Sequence, residues 1–301
     1  MLISATTGTW KKSSSGEYIP AIECIKRLAT AGFEAVDINF HSSMGNAGSK
    51  NEIEIKSPNW EYWADKLQEA LIDNRILANQ AHAPFYNALD NSVEDKPFKE
   101  EMIRRSIIIS GKIGVPWVVM HAGTVPDTDS LKASLLKNIE YFKPHLELAQ
   151  KYKTGIAIEN LIDRIVNRNY WSYRQFTGGI DELLELVNLL KKDFPNVGIC
   201  WDFGHANMMA INQNDALHSI GNLLKCVHIQ DNRGAADDHN LPFAGTIDWV
   251  SVMKTLKETG YTGDFTYEHG NFTQNIPDAF LDEALHFSVK IARYLVSLFR
   301  S

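Results

Sequence analysis

Eight short apolar runs rich in β-branched residues punctuate the chain: Leu2 to Thr6, Ala35 to Phe40, Leu77 to His82, Trp117 to His121, Gly155 to Glu159, Val197 to Asp202, Cys226 to Ile229 and Asp264 to Glu268. Their length and composition predict strands. Between and after them apolar residues recur at helical spacing, which predicts helices near residues 20–31, 58–74, 97–113, 130–153, 180–193, 213–223, 247–259 and 278–299. The glycine in Ala31-Gly32-Phe33, in Ile113-Gly114-Val115-Pro116 and in Thr259-Gly260-Tyr261 stands where a helix would end before the next strand. Eight strands alternating with eight helices predict a single (β/α)8 TIM barrel, one α/β domain over residues 1–301. The rival, an open doubly wound sheet, would carry a GxGxxG or GxxxxGK[ST] turn after an early strand, and neither motif is present. No internal repeat, low-complexity tract or linker divides the chain.

Composition narrows the partners. A chain of 301 residues, 44% hydrophobic, can bury a sizeable core. Its formal charge of −7 opposes the phosphates of nucleic acid and of anionic membranes, so neither is expected as a partner. Cys24, Cys200 and Cys226 are odd in number and form no CxxC pair, which argues against a disulfide framework or a thiolate zinc site and suits a reducing compartment. The segment Met1 to Lys12 lacks the charged-then-apolar order of a signal peptide, and no apolar run approaches the roughly 18 residues of a membrane span. A soluble cytoplasmic protein is the expectation.

In a parallel barrel the carboxyl ends of the strands build the active site. Here six consecutive runs end in imidazole or carboxylate: Gln80-Ala81-His82, Met120-His121, Ile158-Glu159-Asn160, Trp201-Asp202-Phe203-Gly204-His205, Val227-His228-Ile229-Gln230-Asp231 and Tyr267-Glu268-His269. A lone strand-end His or Asp is usually a cap or a solvated group. Several carboxylates buried side by side are costly unless a cation compensates them, so the joint pattern predicts a metal site. Oxygen and imidazole donors without sulfur suit Mn, Mg, Co or Zn.

These strand ends resemble the xylose-isomerase-like superfamily of barrels, which includes sugar isomerases and epimerases, inosose dehydratases and metal-dependent abasic-site endonucleases. The resemblance runs through nearly the whole chain. Its most specific pieces are Ile158-Glu159-Asn160, the Asp-x-x-His of Asp202 to His205, Val227-His228-Ile229-Gln230-Asp231-Asn232, and Gly245-Thr246-Ile247-Asp248-Trp249. It implies one divalent ion held by Glu159, Asp202, His228 and Glu268, with His205 beside the substrate or the ion. The endonuclease branch binds three zinc ions, and this chain supplies counterparts for that larger set in His82, His121, His205, Asp237 and His239, so a second or third ion stays open.

In the isomerase reading the ion polarises a sugar carbonyl and an enediolate forms by proton transfer, with Glu159 and Glu268 as the catalytic pair, either of which can be the first base. His205, His82 and His121 are candidates to contact the substrate. Arg233 lies five residues past His228, near the place where the resemblance puts a substrate-binding arginine, with the spacing off by one. The ketose 3-epimerases carry a further Glu shortly after the strand-five ligand, whereas this chain reads Asn160-Leu161-Ile162-Asp163-Arg164-Ile165, so the expectation stops at a sugar or sugar phosphate isomerase or epimerase. A dehydratase on a keto-sugar or inosose uses the same chemistry up to loss of a hydroxyl, and a zinc-dependent abasic-site endonuclease is the more distant alternative. The long loop Leu161 to Gly179, with Arg164, Arg168, Tyr170, Trp171, Tyr173, Arg174 and Phe176, reads as a lid or a self-association surface. Trp10 and Phe85 read as apolar pocket walls.

Overall fold

Alternate residues of a strand face opposite sides, so each strand of a closed barrel sends every second side chain inward. A computed structural model places the chain in this arrangement; it describes residues 1–8, 19–44, 53–126, 131–165, 172–274 and 276–300. The barrel strands are β1 (Ile3–Thr6), β2 (Ala35–Asn39), β3 (Leu77–His82), β4 (Trp117–His121), β5 (Gly155–Glu159), β6 (Val197–Asp202), β7 (Leu224–His228) and β8 (Phe265–Tyr267). From β1 to β7 each pairs in parallel with the next, and β8 pairs in parallel with β1. The seam between β7 and β8 is closed at its upper end, where Ile229 N donates to Thr266 O at 2.8 Å and Glu268 N donates to Ile229 O at 3.0 Å. The result is a (β/α)8 TIM barrel.

The helices between strands are α1 (Ala21–Ala31), α2 (Trp60–Asp73), α3 (Lys96–Lys112), α4 (Leu131–Lys151), α5 (Ile180–Leu190), α6 (Gln213–Ile220), α7 (Trp249–Glu258) and, after β8, α8 (Leu281–Arg300). In α1 the buried set Ala21, Cys24, Ile25, Leu28 and Ala31 is the stripe that a 3.6-residue repeat lays against the sheet. Gly32, Gly114 and Gly260 follow α1, α3 and α7 with positive φ, a conformation that costs glycine little and lets the chain turn back toward a strand.

Register explains how the barrel carries a polar site on an apolar plug. Val119 pairs with Ala157 and Cys200 with Cys226, and these four fully enclosed residues form a small apolar cluster inside the barrel. Two residues further along the same strands, on the same inward face, come His121, Glu159, Asp202 and His228, with His121 paired to Glu159 and Asp202 to His228. The period of two thus stacks the ligand layer directly above the plug. All three cysteines are buried and unpaired.

Four of the strand runs shift slightly, those at Leu2 and Phe40 by one residue, to Ile3–Thr6 and Ala35–Asn39. The run at Cys226 starts two residues earlier, at Leu224, and the run at Asp264 shortens to Phe265–Tyr267. Short elements with no periodic signature also appear, namely a helical turn Phe203–Met208 that carries His205, another at Gly270–Gln274, and a small antiparallel hairpin pairing Arg164–Ile165 with Ser172–Tyr173. Among the described residues no helix is long and apolar enough to cross a membrane.

Candidate active site

The carboxyl ends of the strands surround a cavity of about 270 Å³, with Glu159, Glu268, His82, His121 and His205 on its wall. Ligand atoms of Glu159, Asp202, His228 and Glu268 all lie within 4.8 Å of one another. Asp202 and His228 are wholly enclosed below the cavity, and Glu159 is 1% exposed. One carboxylate organises the group: Glu159 Oε2 meets His121 Nε2 at 2.8 Å and His82 Nε2 at 3.2 Å, while its Oε1 meets His228 Nδ1 at 2.9 Å. From His228 Nδ1 it is 3.5 Å to Glu268 Oε2 and 3.9 Å to Asp202 Oδ2.

The donor set fits a divalent cation. Asp202 Oδ2 is buried with no hydrogen-bond partner, a costly arrangement for a carboxylate unless something positive faces it. Burial lifts the Asp202 carboxyl to about 6, against the pull of His205. Burial also pushes Glu159 up, but His228 and His121 outweigh it and hold this carboxyl well below the usual range. Burial disfavours a charged His228, yet Cys200, Glu268 and Glu159 together raise it well above the ordinary imidazole value. These carboxylates thus favour positive charge on the imidazole of His228. A metal ion would supply that charge in its place.

A second cluster of ligand type stands beside the first. Ligand atoms of His205, Asp237 and His239 lie within 4.8 Å of one another. Asp237 Oδ2 is 3.0 Å from His239 Nε2 and 3.6 Å from His205 Nε2. His205 turns its Nδ1 to the carbonyl of Asn160 at 2.8 Å, and His239 turns its Nδ1 to the carbonyl of Glu268 at the same distance. Burial works against charge on His239, but Asp237 raises it to about 9.

Residues outside the anticipated set hold these groups in place. Gln230 Nε2 bridges Asp202 Oδ1 at 3.3 Å and Asp237 Oδ1 at 2.7 Å, linking the two clusters. Asn160 exchanges hydrogen bonds with the main chain of Asp202, donating at 2.9 Å and accepting at 2.7 Å. Asp37, fully enclosed in β2, lies 3.8 Å from the far nitrogen of His228, on the side where a carboxylate orients a ligating imidazole. A charged residue in the middle of the apolar run Ala35 to Phe40 is the signal that marks it.

Asp231 anchors the loop that carries Asp237 and His239. Its Oδ2 accepts from Phe243 N and from Trp249 Nε1, both at 2.9 Å, and its main chain exchanges hydrogen bonds with Asn240. Gly245 is required by the same close approach, because a Cβ there would lie 2.1 Å from Asn232 O and 2.2 Å from Asp231 Oδ1. Replacing Asp231 by Ala strands the buried indole N–H of Trp249 and frees the half-buried N–H of Phe243, and the expected loss is about 2 kcal/mol of stability. A urea titration monitored by tryptophan fluorescence measures it; an unchanged midpoint would refute the anchoring role.

Of the other anticipated residues, Phe85 lies in the cavity wall, stacked between His41 and His121 with centroid distances of 3.9 and 4.8 Å. Arg233 is exposed and is not among the residues lining the cavity. Arg174 pairs with Glu182, and Phe176 is buried in the core, so neither stands over the cavity as a lid. Trp10, Arg168, Tyr170 and Trp171 lie outside the described residues, as do the side chains of Arg164 and Tyr173.

The pattern of the xylose isomerase-like TIM barrel matches residues 25–288. The chain belongs to this family. An uncharacterized relative from Methanocaldococcus jannaschii, MJ1311, is 32% identical over 197 residues, covering 63% of this chain and 64% of that protein. The 3-dehydro-D-guloside 4-epimerase of Escherichia coli is 34% identical over 80 residues, 27% of this chain and 29% of the enzyme. The chain spans about half to two thirds of the length of the first curated relatives it matches. A solved structure of a D-tagatose 3-epimerase-like protein superposes with a TM-score of 0.74 at 23% identity, covering 100% of this chain and 98% of the other, which bears on the fold of this xylose isomerase-like barrel.

Proposed function

We propose that this xylose isomerase-like barrel is a divalent-metal-dependent sugar isomerase or epimerase that moves a proton beside a carbonyl. The observation that carries this reading is the convergence of two carboxylates in the wall of one cavity, Glu159 and Glu268, with the enclosed Asp202 and His228 within 4.8 Å of them. The names of the relatives support it, since the Escherichia coli relative is an epimerase of a keto-sugar glycoside and the superposed structure is like a ketose epimerase.

Glu159, Asp202, His228 and Glu268 would hold the ion, which would supply Lewis-acid polarisation of the carbonyl and its neighbouring hydroxyl. One glutamate takes the proton from the carbon next to the carbonyl, and the other returns a proton to the opposite face or to the adjacent carbon. Which of them acts first depends on the face the substrate turns to each. His205, held by Asn160 and facing the cavity, steadies a substrate oxygen. Phe85, Leu161 and Ile162 supply apolar wall that keeps bulk water from the reacting carbon. Metal-loaded protein incubated with a panel of ketoses, keto-glycosides and sugar phosphates in deuterated water should place deuterium beside the carbonyl. A folded, metal-loaded protein that exchanges none of them would count decisively against the reading, and loss of a hydroxyl in the product would move it to the dehydratase.

A second reading rests on the cluster of His205, Asp237 and His239. Together with His82 and His121 around Glu159, it offers donors for more than one ion, the arrangement suited to water attack on a phosphodiester. Elemental analysis giving about three zinc ions per chain, together with cleavage of an abasic duplex, would favour this hydrolase. The net charge of −7 stands against a nucleic-acid substrate.

A further inference from the structure

Helix α8 presents an aromatic row that nothing in the described fold covers. Phe280, in the turn leading into the helix, is 61% exposed, Phe287 is 54% exposed and Tyr294 is 52% exposed. Seven residues are nearly two turns, so the three rings align along one side of the helix over about 20 Å. Phe243, 54% exposed, rests its ring on Tyr294 with centroids 6.2 Å apart and widens the row. Scattered exposed aromatics are ordinary; rings repeated in helical register along one solvent-facing side of a helix form a surface suited to docking.

The charges beside the row identify the occupant. Glu283 and Lys290 are exposed at the same seven-residue interval, one turn from the aromatics, and neither has an ion-pair partner among the described residues. We propose that this face of α8 is a two-fold contact with a second copy of the chain, helix against antiparallel helix, centred on Phe287. In that register Phe287 meets its own counterpart and Phe280 lies opposite the partner's Tyr294. Glu283 comes within one residue of the position facing the partner's Lys290. A parallel pairing would set Glu283 on Glu283 and Lys290 on Lys290. The acidic-to-basic order about an aromatic centre is self-complementary, which an isologous contact requires and an unrelated protein or a lipid surface does not.

Area is consistent with a dimer. Four half-exposed aromatics on each copy bury about 800 Å² between them, the apolar centre of an interface that needs about 1,200 Å² or more once its polar rim is included. Phe243 belongs to the loop that also carries Asp237 and His239, so the contact braces one wall of the cavity.

Sedimentation velocity on the intact metal-loaded protein, from about 0.1 to 100 μM, is expected to show a monomer–dimer equilibrium. Phe287→Glu places like charges at the two-fold axis and should weaken it about 100-fold or more. Glu283→Lys alone should weaken it about tenfold, and the exchange Glu283→Lys with Lys290→Glu should restore it. Circular dichroism of each variant checks folding. A wild-type protein that stays monomeric throughout, or a dimer indifferent to Phe287→Glu in a folded variant, overturns the proposal; failure of the charge exchange to restore association overturns the antiparallel register.

Discussion

Glu159→Gln is expected to leave a folded barrel whose proton-exchange activity falls by about 10³-fold or more, the span of a lost general base compounded by a weakened metal site. The amide keeps the shape of the side chain but offers one acceptor where the carboxylate offers two, while three imidazoles converge on those oxygens. His82 and His121 share Oε2 and His228 takes Oε1, so whichever way the amide turns, an N–H group faces at least one ring nitrogen. Rates of deuterium exchange and metal content, measured together on wild type and variant, test this. Retention of both would remove Glu159 from the centre of the mechanism. Glu268→Gln provides the contrast: its carboxylate is less enclosed and makes fewer imidazole contacts, so its loss should reduce exchange while sparing more of the metal.

Metal affinity should fall about 10³-fold between pH 7 and pH 5. The sign follows from competition, because an ion needs Asp202 ionised and His228 neutral. Asp202, lifted by burial to about 6, is mostly ionised at pH 7 and mostly protonated at pH 5, which accounts for about a tenfold loss. His228, raised well above its ordinary value by Cys200, Glu268 and Glu159 against the effect of burial, holds its proton across the window and contributes about a further hundredfold. Binding at pH 7 should accordingly release at least one proton. Calorimetry in buffers of different ionisation enthalpy measures the release, and an affinity flat from pH 7 to pH 5 would exclude this site as the place where the ion binds.

The hydrophobic pattern carried the barrel because each strand and helix is long enough to show its period. Leu77 to His82, Trp117 to His121, Gly155 to Glu159 and Val197 to Asp202 appear as strands with the bounds their apolar runs suggest. The five- or six-residue turns at Phe203 and Gly270 are too short for a period to register, and their helices depend on what surrounds them. The grouping of Glu159, Asp202, His228 and Glu268 was readable because all four close or directly follow strand runs. Gln230 and Asn160 were harder to assign a role, since an amide signals nothing until its partners are in place. Arg233 shows the opposite limit: proximity to His228 along the chain does not carry a side chain to the cavity when the intervening loop turns it to solvent.

The order of the strands along the chain has a consequence for fragments of it. Glu159, Asp202 and His228 are made in succession, but Glu268 follows the last strand, and its main chain also ties the seam to Ile229. A fragment ending before residue 268 would lack both the fourth member of the group and the backbone bond that ties the seam. Closure of the barrel and assembly of the four-residue group therefore depend on the same short stretch of chain after the last strand.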